Sequence, residues 1–215
     1  MPVGHRTRPV LDRPGVAVVH VGTIDTAGPA HQQDVLDAET GRRRTRPWPA
    51  GLLAFSSFAT GDGRSVLIHT QWASESALDE ALGEVPDGTA FRLHRVVRGG
   101  AVPDPVPPAE CFPVAFFTMD DGQDGRAWVD EMLAGEEARA GSERAYPGAI
   151  AAYLYVSADG ARVLSFSEWE TEAQAVAHIE QVWADELGTG DDPGTGANYR
   201  HHLTLTAEYL AARTA

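Results

Sequence analysis

Two stretches of the chain repeat one rhythm of apolar and polar positions. Pro49-Ala-Gly-Leu-Leu-Ala-Phe55 leads as an apolar run into Thr60-Gly-Asp-Gly-Arg64 and returns as Ser65-Val-Leu-Ile-His-Thr-Gln-Trp72. Pro147-Gly-Ala-Ile-Ala-Ala-Tyr153 leads into Ala158-Asp-Gly-Ala-Arg162 and returns as Val163-Leu-Ser-Phe-Ser-Glu-Trp169. Strand-like runs on either side of Asp-Gly predict a β-hairpin, since glycine accepts the backbone angles that a tight turn imposes. An aromatic residue precedes each proline (Trp48, Tyr146), and each return strand ends on tryptophan. A helix start follows each tryptophan. Ser74 and Thr171 are suited to cap it, and Glu75 and Glu172 suit the positive end of its dipole.

The same rhythm extends outward. First strands are predicted at Val16–Val21 and Pro113–Thr118, and first helices near Pro29–Arg43 and Gln123–Arg139. Closing strands are predicted at Phe91–His94 and Tyr199–His202. Each half therefore reads β-α-β-β-α-β, the ferredoxin-like order. The predicted fold is α+β: two such modules, residues 14–100 and 111–210, joined by a proline-rich linker at 101–110. An antiparallel sheet with helices on one face leaves its other face apolar, so two modules are expected to close into one α/β barrel within the chain. A monomer is then structurally sufficient, and homodimerisation through outer surfaces stays open. Equivalent positions lie 98 residues apart at the prolines, 97 at the tryptophans and 108 at the closing strands. This predicts one residue lost in the second hairpin turn and an insertion at Gly188–Gly196. Tyr153 and Tyr155 share one face of their strand; with Ala152, Leu154 and Val156 assigned to the barrel interior, the tyrosines are expected to face the helices.

Composition narrows the chemistry. All 17 cationic residues are arginine, so no lysine Schiff base, P-loop lysine or pyridoxal-phosphate anchor is available. Residues 1–102 balance 11 Arg against 11 Asp and Glu, whereas residues 103–215 hold 6 against 20. Nucleic acid is excluded as a partner, because its phosphates would meet net repulsion with no basic stripe to offset it. The cluster Arg42, Arg43, Arg44 and Arg46 reads as a solvated helix end, with an anionic ligand or partner as the alternative. Cys111 stands alone, which permits no internal disulfide and suits a reducing cytoplasm. No apolar run reaches the ~20 residues of a membrane span, and the first residues lack the apolar stretch of a signal peptide, so a cytoplasmic protein without membrane contact is expected.

Histidines are the main candidate chemistry. His178 lies among Ala175, Val176, Ile179 and Val182 on the helix after Trp169. His69 lies three residues before Trp72, His94 aligns with His202, and His201 and His202 point to opposite faces. No His-x-His or His-Glu-x-x-His spacing occurs, so no metal site is expected. Asp120–Glu131 imitates a calcium loop but has Gly122 at the third ligand position. The glycine-rich Gly188–Gly196 follows a helix rather than a strand, which is the wrong setting for a dinucleotide loop.

Trp169-Glu-Thr-Glu-Ala-Gln-Ala-Val-Ala-His178, a strand-ending tryptophan with histidine nine residues on, resembles the signature of the antibiotic biosynthesis monooxygenase family of dimeric α/β barrels. The resemblance covers both modules. It implies a ligand pocket between a sheet and its covering helices. It also implies oxidation of a phenolic aromatic polyketide with O2, in antibiotic or pigment biosynthesis, without a bound cofactor; reduced flavin supplied in trans is the alternative. Related barrels act as polyketide cyclases or aromatases, and a non-catalytic ligand-binding scaffold is the third reading. The resemblance points to His178 and Trp169 as catalytic. Tyr153, Tyr155, Trp72, His69, His94 and His202 are candidate substrate-lining residues. The family's anthrone oxidisers carry asparagine on a strand beside the tryptophan; the position four before it is Ile68 in one module and Ser165 in the other. The histidine position is Ala81 in the first module, so the second is expected to hold the chemistry.

Overall fold

The structure, a computed structural model, describes residues 8–141, 144–186 and 195–212. Its elements are β1 (Val18–Asp25), α1 (Pro29–Thr45), β2 (Leu52–Thr60), β3 (Ser65–Trp72), α2 (Glu75–Ala81), β4 (Thr89–Arg98), β5 (Phe112–Thr118), α3 (Gly125–Ala140), β6 (Ala149–Ser157), β7 (Arg162–Trp169), α4 (Glu172–Glu186), β8 (Thr195–Leu205) and α5 (Ala207–Ala211). The ferredoxin-like order occurs twice, and the hydrogen-bonded strand order is that of a closed barrel, β1-β3-β2-β8-β5-β7-β6-β4. Both closing strands are longer than the sequence pattern predicts. Most of the glycine-rich insertion lies outside the described residues; its Thr195 and Gly196 already belong to β8. Among the described residues no helix is long and apolar enough to cross a membrane.

The chain forms two compact units, one of residues up to Phe91 together with those from Tyr199 onward, the other Arg92–Asn198. In the first, β3 pairs antiparallel with β1 and β2, β2 pairs with the later half of β8, and β1 pairs with the start of β4. In the second, β7 pairs antiparallel with β5 and β6. The predicted caps form: Ser74 Oγ accepts from Ala77 N at 3.2 Å, and Thr171 Oγ1 from Gln174 N at 3.3 Å. Gly63 and Gly160 close the hairpins at φ 75°, a conformation that favours glycine.

Helices cover one face of each sheet. In the first unit Leu36 of α1 packs on Phe55, Val66 and Ile68, while Leu78 and Ala81 pack with Trp72. In the second unit Val129 of α3 packs on Leu154, Val156 and Val163, and Ala175 of α4 on Trp169. Leu154 and Val156 therefore face the helices, and Tyr153 and Tyr155 point to the other face, the reverse of the expectation. Ala152, Leu154 and Val156 are apolar enough for either face, and the match between the modules also slips by one residue. Asp62-Gly63 and Asp159-Gly160 keep the 97-residue spacing of the tryptophans, and so do the glycines that open the strands, Gly51 and Gly148. The lost residue thus lies between Pro147 and Gly148, not in the hairpin turn. The register agrees: Leu52 and Ala149 each oppose a tryptophan, Phe55 opposes Thr70, and Ala152 opposes Ser167. The true equivalents of Tyr153 and Tyr155 are Ser56 and Phe58. A slip of one position along a strand exchanges its faces.

On the face away from the helices the first unit buries His69, which is 1 % exposed. Loss of hydration drives its pKa down to about 4. The native state thus takes up this proton later than the unfolded chain, whose imidazole titrates near 6.5. The stability associated with neutral His69 is complete above pH 6.5 and is lost as pH falls toward 4, by roughly 3 kcal/mol in total. Denaturant titrations at pH 7 and pH 4.5 are expected to show this loss, and His69→Gln should flatten it. An unchanged pH slope in the variant would refute the assignment.

Candidate functional site

The helix-facing layer differs between the units at matched positions. In the first, Phe55 and Thr70 are 0 % exposed and Ile68 is 1 % exposed. In the second, the corresponding residues are Ala152, Ser167 and Ser165, all only half-buried, as is Ala115 on β5, which pairs with Ser165. Large side chains fill the layer in one unit. Small ones, only half-buried, take their place in the other and form the floor of the candidate cleft. α3 covers the floor at Val163 and Leu154, and α4 covers it at Trp169. Phe117 of β5 and Trp128 of α3 stand at the α3 end with ring centroids 5.2 Å apart.

At the α4 end His178 lies against two aromatic rings. Its imidazole centroid is 4.3 Å from that of Tyr146 and 5.0 Å from that of Trp169. Burial lowers the His178 pKa, partly opposed by the negative charge of Glu136, so the imidazole is neutral at pH 7 and able to accept a proton. The Trp169 indole N–H donates to Ser167 Oγ at 3.1 Å, just as Trp72 donates to Thr70 Oγ1 at 2.8 Å. The Trp169 N–H is thus taken, and what it presents to His178 is a ring. A hydroxyl two residues before tryptophan, on the same face of the strand, is a second mark shared by the modules.

Tyr146 and Glu136 were not among the sequence candidates. The Tyr146 hydroxyl donates to Glu136 Oε1 at 2.8 Å, and Arg144 Nε reaches Glu136 Oε2 at 3.3 Å. Arg144 also donates to Leu133 O at 3.2 Å and lies 3.5 Å from Glu137. These contacts hold Arg144 at φ 43°, where a side chain other than glycine is strained. The strained turn carries Tyr146 onto the imidazole. Its only sequence trace is the match between Tyr146-Pro147 and Trp48-Pro49.

Of the sequence candidates, His178 and Trp169 come together. Tyr153 is on the other face of that sheet, where its hydroxyl donates to Glu168 Oε2 at 3.0 Å and the Arg98 guanidinium lies 5.8 Å from its ring centroid. Tyr155 is fully buried on the same face. His94 pairs with Asp130 of α3 at 3.0 Å. Trp72, His69 and His202 belong to the first unit, where Trp72 seals the α2 end of the sheet.

No protein-family model and no curated protein matches the sequence. Solved structures do share its fold. An anthrone oxidase-like protein superposes with a TM-score of 0.64 at 15% identity, over 89% of this chain and 93% of its own. A monooxygenase candidate from Fusobacterium nucleatum superposes with a TM-score of 0.54 at 9% identity, over 91% of this chain and 96% of its own. A major regulator of staphylococcal pathogenesis does so with a TM-score of 0.51 at 8% identity, over 85% of this chain and 98% of its own. The likeness is one of fold, and the side chains must carry any argument about chemistry.

Removing either neighbour of His178 should move its titration in opposite directions. Tyr146→Ala uncovers one side of the imidazole and is expected to raise its pKa toward 6.5. Glu136→Gln removes the opposing negative charge and should lower it further. Both shifts are readable from the His178 Cε1 signal in NMR titrations, and movement in the same direction would contradict this geometry.

Proposed function

We propose that the second unit is a small-molecule monooxygenase site, oxidising a phenolic aromatic polyketide intermediate with O2 without a bound cofactor. The observation that carries this reading is the half-buried floor of Ala115, Ala152, Ser165 and Ser167 beside a neutral imidazole flanked by two aromatic rings. The rings suit a flat substrate, and the imidazole suits a phenol proton. The cleft lies in the layer where the family resemblance expects a ligand.

In this reading the substrate supplies the electrons. His178 accepts the phenol proton, and the resulting phenolate passes one electron to O2. The substrate radical and superoxide combine at the ring carbon to form a hydroperoxide. Loss of water then leaves a quinone carbonyl: one oxygen atom stays in the product, and the other leaves as water with two substrate hydrogens. The protein's part is to exclude water, hold the ring and pair imidazolium with phenolate. Trp169 and Tyr146 orient, and the Ser165 hydroxyl is a donor for the developing oxyanion. Ser165 at the asparagine position favours a second reading, a cyclase or aromatase that uses the same cleft without O2.

Oxygen uptake with a phenolic anthrone distinguishes the two. His178→Ala and Trp169→Phe are expected to reduce turnover at least about tenfold, the low end for a positioned acid–base group. Trp72→Phe should mainly lower stability, by roughly 1–3 kcal/mol. Ser165→Ile, which copies the first unit's filled layer, should abolish turnover with little change in melting temperature. Loss of activity in Trp72→Phe at unchanged melting temperature, with His178→Ala unaffected, would place the chemistry in the first unit.

A further inference from the structure

Among the described side chains near His178 the charge is one-sided: α4 contributes Glu172 and Glu180 and no arginine. The arginines whose contacts are resolved in this unit are engaged elsewhere: Arg95 with Asp130 at 2.9 Å, Arg126 with Asp124 at 3.6 Å, and Arg98 against the Tyr153 ring. Arg144, nearest in sequence to Tyr146, is held by Glu136 and Glu137. Among the described residues, the charge that acts on His178 is the carboxylate of Glu136. Glu136 is itself occupied, with Arg144 on one oxygen and the Tyr146 hydroxyl on the other, so it offers no counter-charge to a cationic ligand.

We propose that this cleft selects uncharged aromatic ligands and turns away their carboxylated counterparts. The inference rests on the cleft being the ligand site. A carboxylate entering it would surrender its hydration beside Glu136 with no cation in return, whereas a neutral phenol gives up far less and can donate to His178. Ionisation of the phenol then requires the proton to remain on His178, so that the site holds a net-neutral ion pair rather than a lone anion. In a reaction sequence, any carboxyl group on the aromatic skeleton must be removed or masked before the compound reaches this protein.

The test compares 1-naphthol with 1-hydroxy-2-naphthoate at pH 7.5 on the full chain. Calorimetry measures affinity, and the His178 Cε1 NMR signal reports location. The naphthol is expected to shift the His178 signal and to bind at least about tenfold more tightly than the hydroxynaphthoate. Ser165→Arg, or Ser167→Arg if the first variant melts, should reverse that preference by giving the carboxylate a partner. Equal or tighter binding of the hydroxynaphthoate to the wild-type cleft overturns the selectivity and leaves the site standing. A folded arginine variant that keeps the wild-type preference overturns it too. If neither compound perturbs His178, the site reading itself fails, and the inference with it.

Discussion

Successive side chains of a strand point to opposite faces, so each helix-facing layer is built from every second residue of the central strands. Three matched pairs set the character of the two layers: Phe55 against Ala152, Ile68 against Ser165, and Thr70 against Ser167. A phenylalanine in place of an alanine at such a buried site is worth on the order of 3–5 kcal/mol. The second unit goes without that stabilisation at its centre and has a half-buried floor instead. Loss of packing at one place in an otherwise closed layer is what a binding site requires.

Everything else at the α4 end follows from that opening. With small residues on the floor, the imidazole of His178 is covered chiefly by Tyr146 and Trp169, and burial keeps it neutral. The two rings are fixed by different means. Trp169 is tied to its own strand through Ser167. Tyr146 is tied to α3 through Glu136, by a turn that holds Arg144 in a strained conformation. A fixed imidazole between fixed rings needs little rearrangement to meet a flat ligand.

Much of this was legible in the sequence, because the features that announce it are local. Asp-Gly turns, Ser74 and Thr171 caps, and tryptophans at strand ends are each read within a few residues, and together they give the element order. The facing of β6 was not legible. Both of its faces are buried, so Tyr153-Leu-Tyr155-Val offers no polar side to orient it, and assigning Ala152, Leu154 and Val156 to the barrel interior reverses it. The Tyr146–Glu136 pair was equally silent: ten residues separate its members, and it depends on how a turn folds back on α3. The histidine nine residues after Trp169 was visible, but the filled and open layers emerged only once the register was known.

β4 and β8 each contribute residues to both compact units, and this has a consequence for how the chain is made. The first unit is not a continuous stretch: β2 takes its outer neighbour from Tyr199–Leu205, more than a hundred residues later in the sequence. On a ribosome, β1 to β3 emerge well before that strand, leaving the β2 edge unpaired until residues 199–205 have been made. The second unit, Arg92–Asn198, is continuous and can close sooner. Vectorial synthesis therefore favours the order opposite to that of the sequence, and the earlier segment, β1 to β3, is the one that most needs protection from aggregation while it waits.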